Sequence, residues 1–181
     1  MTKINKKNKA VIIGRFQPFH LGHLYVLKEA LRSYNFVVFV IGSSQEDYTL
    51  KNPLTSQERF EILKKVLASL GVNKNKYKIV SLPDIPTNSA WASYVAKKVG
   101  KFDEVLTANN LTKMLFEDCG YSVVTNPLYR RKVCSGTEIR NRILRGRKWD
   151  FIVPAEVFVY LNKLGFEDRL REISKSDNPY S

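Results

Sequence analysis

A chain of 181 residues, 44% of them hydrophobic, is long enough to bury one sizeable core and reads as a single domain. Its formal charge of +13 suits a phosphate-rich partner, a nucleotide or a nucleic acid, and equally a solvated basic surface. No apolar run reaches the roughly 20 residues of a membrane span, the basic start lacks the apolar segment of a signal peptide, and Cys119 and Cys134 fit neither a disulfide framework nor a zinc spacing; a cytoplasmic protein with free thiols is expected.

Residues 1–9, with Lys3, Lys6, Lys7 and Lys9, read as a disordered basic tail, followed by one domain over 10–173 and a frayed polar tail over 174–181. The run 10–13 is apolar on both faces, as a central parallel strand is. A helix is expected over 24–34, with Leu24, Leu27, Ala30 and Leu31 on one stripe, then a turn at Asn35. The run 36–41, closed by Gly42, reads as a second buried strand. After a polar loop, Thr55 and Glu58 form a capping box for a helix that stops at Gly71. Strands are expected at 77–82, 104–107 and 121–125, and helices at 89–99, 111–118 and 136–144. Pro154 fits the first turn of a further helix ending near Gly165. Strand and helix alternate throughout. That pattern predicts an α/β fold: a doubly wound, Rossmann-like parallel sheet of about five strands, helices on both faces, and helices at the C-terminal end. Ligands of such sheets bind beyond the carboxyl ends of the strands, where strand order switches.

The stretch Gly-Arg-Phe-Gln-Pro-Phe-His-Leu-Gly-His, residues 14–23, joins the first strand to the first helix and contains both histidines of the chain. Two imidazoles, His20 and His23, with Arg15 and the unpaired N–H groups of a helix start, make a phosphate site. Gly14 ends the strand beside it, and Gly22 permits a close backbone approach. Arg15 offers a forked phosphate contact. Gln17 and Phe19 are candidates for the nucleotide pocket, although Phe16 and Phe19 suit packing equally well. A second junction, Ser-Gly-Thr-Glu-Ile-Arg at 135–140, places Ser135 or Thr137 at a helix cap and Arg140 one turn in, within reach of a β- or γ-phosphate. Ser-x-x-Glu is also an ordinary capping box. The sequence has no Ser-His-Asp order, no His/Cys metal cluster and no Walker A stretch, so no protein-held metal is expected.

The His20-Leu-Gly-His23 segment resembles the His-x-Gly-His signature of the nucleotidylyltransferase superfamily, and its extended form, from Arg15, resembles the archaeal-type nicotinamide-mononucleotide adenylyltransferases. The 135–140 stretch matches the superfamily's C-terminal phosphate motif, and the resemblance spans about residues 11–164. It implies transfer of AMP from ATP to nicotinamide mononucleotide (NMN), giving NAD and pyrophosphate, with Mg²⁺ accompanying ATP and a homo-oligomeric assembly. It implies that His20 and His23 contact the ATP phosphates, His23 at the α-phosphate in the transition state. It implies that Trp91 stacks on the nicotinamide ring and Asn88 bonds its carboxamide; the competing reading makes Trp91 a core residue. There are departures. Lys51 stands where the family often has an arginine, which keeps the charge and loses the fork. Thr107-Ala108-Asn109 stands in place of Ser-Gly-Asn, and an alanine is ill suited to positive φ. Arg130 or Arg131 is expected near phosphate. The rivals are the same chemistry on nicotinic acid mononucleotide, FMN or phosphopantetheine, or a nucleic-acid-binding or regulatory protein on this fold. Against nucleic acid, the aromatics are not interleaved with the lysines as a base-stacking platform requires.

Overall fold

The computed structural model describes residues 7–125 and 133–176. In order these form β1 (Lys7–Gly14), α1 (Leu21–Ser33), β2 (Tyr34–Ile41), α2 (Ser56–Ser69), β3 (Tyr77–Ser81), α3 (Asn88–Val99), β4 (Glu104–Leu106), α4 (Asn110–Asp118), β5 (Val123–Val124), α5 (Gly136–Leu144), α6 (Ala155–Lys163) and α7 (Phe166–Ser176). The strands make one sheet in the order β3-β2-β1-β4-β5, and every pairing is parallel. Alternation of side chains along each strand feeds two cores. Ala10, Ile12, Val37 and Phe39 face the core built with α1, α2, α5, α6 and α7. Val11, Val38, Val40 and Val105 face the core built with α3 and α4. Each fully buried side chain of this kind contributes about 1.5–3 kcal/mol, which is why β1 and β2 are apolar on both faces.

The predicted doubly wound sheet with helices on both faces is therefore what forms. Chain direction decides where it opens. β2 and β3 lie on one side of β1, β4 and β5 on the other, so connections leaving β1 and β4 diverge at their carboxyl ends and leave a crevice.

Several boundaries move, each for a tertiary reason. Lys7 and Lys9 are not tail residues: they pair with Tyr34 and Phe36 in the sheet, and the Lys7 ammonium meets the Glu104 carboxylate. The helix expected to reach residue 34 stops at Ser33, without a turn at Asn35, because Tyr34 already pairs in β2 and its hydroxyl donates to Glu104. β5 is two residues rather than five. Tyr121 belongs to the end of α4, where its N–H and that of Gly120 close on the Phe116 and Glu117 carbonyls and its ring packs on Phe116. Pro154 is the residue before α6 rather than within it, and α7 carries helix as far as Ser176, into the expected frayed tail. The Thr55–Glu58 capping box forms as expected. Arg169 of α7 then grips the same Glu58 through two bonds of 2.8 Å and lies 5.0 Å from the Tyr48 ring, tying α7 to the loop after β2. No helix among the described residues is long and apolar enough to cross a membrane.

Candidate active site

The crevice at the switch point is a cleft of about 820 Å³. Its floor is the carboxyl end of β1 (Ile12, Gly14, Arg15) and of β4 (Leu106, Thr107), and His20, Gly22 and His23 line it as well. His20 is the N-cap of α1 and His23 its third residue, and they cap each other. The His23 N–H donates to His20 Nδ1 at 3.4 Å, and the His20 N–H donates to His23 Nδ1 at 3.3 Å. The rings stack with centroids 3.7 Å apart. A ring nitrogen that accepts a hydrogen bond carries no proton, so each imidazole holds its proton on Nε2. Burial lowers the pKa of His20 to about 4, and burial followed by the neighbouring His20 holds His23 well below the usual histidine range. At neutral pH the pair is two uncharged N–H donors. The sequence points to the pair; its tautomer follows from the reciprocal cap.

Beneath His23 lie Phe16 and Phe19, at 4.9 and 5.3 Å between centroids, both fully buried. They support the imidazole and are not pocket residues. Gln17 is a second correction. It is 5% exposed, and its side-chain amide donates to the Leu54 carbonyl at 2.8 Å and accepts from the Leu54 N–H at 2.9 Å. It clasps the loop after β1 to the loop before α2 and does not line the cleft. Gly22 is required by its neighbours: an added Cβ would stand 3.0 Å from the His20 ring and 3.4 Å from the Cys134 carbonyl oxygen. The close approach is between protein segments.

The Cys134 carbonyl belongs to the second motif, and Cys134 and Ser135 line the same cleft. Ser135 caps α5, accepting from the Glu138 N–H at 3.1 Å, while Glu138 pairs with Arg142 at 2.7 Å and leaves the box unreciprocated. Arg140 donates to the Gln17 carbonyl at 2.6 Å and to the Thr137 hydroxyl at 3.3 Å. Burial, then the nearby Arg15, lowers its pKa to about 10, so it stays cationic at neutral pH. Gly136 makes this contact possible, since a Cβ there would stand 2.5 Å from the Gln17 carbonyl oxygen. The two motifs are thus locked together across 123 residues of chain. Thr137 is exposed, bonded to Arg140 rather than capping the helix.

Lys51, Asn88 and Trp91 also line the cleft. Trp91 lies at a boundary: its ring meets Phe116 edge-on at 6.0 Å against the α3–α4 core, and it also borders the cleft. Its Nε1 is buried without a hydrogen-bond partner. Ala108 lines the cleft without positive φ, so alanine is not strained there. Asn109, the last residue of the Thr107-Ala108-Asn109 stretch, lines the cleft and also caps α4, accepting from the Thr112 N–H at 3.1 Å. Arg130 and Arg131 lie outside the described residues.

Residues 11–142 match the cytidylyltransferase-like family. The chain is 40% identical over 166 residues to a nicotinamide-nucleotide adenylyltransferase of Thermococcus sibiricus, covering 92% of this chain and 89% of that one. It is 42% identical over 170 residues to a protein of the same name from Ignicoccus hospitalis, covering 93% and 99%. Among solved structures it is similar to a bifunctional NMN adenylyltransferase/ADP ribose pyrophosphatase from Francisella tularensis complexed with AMP and a manganese ion. That likeness has a TM-score of 0.79 at 22% identity, over 95% of this chain and 53% of that one.

Proposed function

We propose, from the premise that the chain belongs to the cytidylyltransferase-like family and within it to the nicotinamide-nucleotide adenylyltransferases, that it transfers AMP from ATP to NMN, giving NAD and pyrophosphate. A phosphate oxygen of NMN attacks the α-phosphorus, and the bond from that phosphorus to the oxygen bridging it to the β-phosphorus breaks. No protein nucleophile takes part, so positioning and charge stabilisation carry the reaction. His20 and His23 supply neutral Nε2–H donors to the phosphoryl oxygens that gain charge, His23 at the α-phosphate. Arg15, Lys51, Gly14, Gly22, the capped start of α5 at Ser135, Thr137, Arg140 and Arg130 serve the phosphates. Trp91 stacks on the nicotinamide and Asn88 bonds its carboxamide. The observation that carries this reading is the bond from Arg140 to the Gln17 carbonyl, in the loop that leads into the histidine pair at the start of α1.

Among the described residues no group of three or more His, Cys, Asp or Glu could hold a metal ion. The divalent ion, Mg²⁺ by our inference, would come with ATP, coordinated by its polyphosphate oxygens. We place the enzyme in the cytoplasm, as a homo-oligomer. The test is a panel of acceptors with MgATP, scored by pyrophosphate release: NMN, nicotinic acid mononucleotide, FMN and phosphopantetheine. NMN is expected to react with the highest kcat/KM. An inert NMN beside another reactive acceptor would reassign the substrate.

A further inference from the structure

Arg59 does not itself line the cleft, yet it is bonded to residues that do. It lies on the buried stripe of α2, with Ile62, Leu63, Val66 and Leu67, and is 0% exposed. Its five N–H groups meet five main-chain carbonyls. Nε donates to Thr55 at 3.2 Å, one terminal nitrogen to Arg15 and Gly42 at 3.2 and 2.8 Å, and the other to Ser43 and Glu46 at 3.1 and 3.4 Å. Among the described residues no carboxylate forms an ion pair with it. A buried cation whose direct partners are carbonyl oxygens, with Asp47, Asp84 and Glu46 acting on its charge only from beyond ion-pair distance, is a costly core residue, and an apolar side chain would continue the stripe better.

Backbone strain shows what it holds. The non-glycine residues with positive φ among those described are Phe16, Ser43 and Tyr48, at 51°, 48° and 49°. Arg59 binds the carbonyl just before Phe16, the carbonyl of Ser43 itself, and the carbonyl two residues before Tyr48. Such conformations persist where surrounding contacts over-determine them. The same turns present Arg15, Gly42 and Ser43 to the cleft. A side-chain chain runs parallel to them: the Asn52 amide donates to Glu46, and its oxygen stands 3.5 Å from the Arg15 guanidinium.

We propose that Arg59 is a positioning residue for adenylyl transfer: its fork fixes the strained ends of β1 and β2, and through them Arg15, in the shape that receives the triphosphate. The proposal rests on the reading that ATP occupies this cleft. Arg59→Lys and Arg59→Met are compared with the parent for the KM of ATP, the KM of NMN, the Kd of tripolyphosphate and Tm. A lysine keeps the charge but is a single point with three donors. Both variants are expected to raise the ATP KM and the tripolyphosphate Kd about tenfold, as loss of one or two charge-assisted contacts would, and to leave the NMN KM within about twofold. Parent-like ATP and tripolyphosphate values in the lysine variant, with only Tm lowered, would overturn it. If neither variant folds, hydrogen exchange on the parent decides. Tripolyphosphate is expected to slow exchange of amides 42–46, and an unchanged rate there would contradict the proposal. Tripolyphosphate needs no acceptor, so a parent inert toward NMN would reject the substrate assignment and leave this test standing.

Discussion

At the scale of single residues, the chemistry depends on where two protons sit. Each histidine of the pair gives its Nδ1 to the other's main-chain N–H, and burial disfavours the imidazolium. A histidine whose pKa is depressed stays neutral until the pH falls well below its ordinary value near 6.5. Nitrogen-15 NMR of the free protein at pH 6 is therefore expected to show both rings neutral and protonated at Nε2. A ring half-titrated near pH 6.5, or a proton on Nδ1, would contradict the reciprocal cap. The sequence announced this pair because both histidines fall in one short motif. It misassigned Gln17 because a polar residue inside such a motif looks like a ligand contact, whereas only the fold brings Leu54 to it. Arg59 left a signal that was legible and unread: a charged residue at the position three, four, seven and eight residues before Ile62, Leu63, Val66 and Leu67.

At the scale of elements, the site is a contact between two helix starts, α1 and α5. Periodicity and caps found nearly every helix, because those signals are local. Boundaries set by distant partners were not legible: Tyr34 leaves α1 for Glu104, 70 residues away, and Tyr121 stays with α4. Nor could sequence reveal why residue 136 is glycine. A Cβ there would press on the Gln17 main chain, which cannot yield as a flexible side-chain end would. Gly136→Ala is expected to destabilise the fold by about 1–3 kcal/mol, the range for overpacking, and to raise the ATP KM by moving Arg140 and Ser135 away from the histidine loop. Unchanged melting and an unchanged KM would show that the two helix starts do not need this approach.

At the scale of the whole molecule, the sheet order places everything. β1 is central, and its carboxyl end faces the switch between β2 on one side and β4 on the other, so the histidine loop, the start of α3 and the 107–109 segment border a single opening. The strand count and the alternation with helices were readable from apolar runs alone; the order of strands was not, since parallel pairing leaves no local mark on the chain. The +13 charge says less than its placement does. Lys7 serves Glu104 at the amino end of the sheet, whereas Arg15 and Lys51 stand at the carboxyl end beside the cleft. The most direct test compares His23→Ala with the parent for turnover of ATP with NMN and for the Kd of tripolyphosphate. A donor that acts on charge developing in the transition state should cost turnover about a hundredfold or more when removed, with the Kd changed by less than about threefold. Equal losses in both would mean that His23 merely helps to hold the phosphates, and the catalytic role assigned to the imidazole pair would fail.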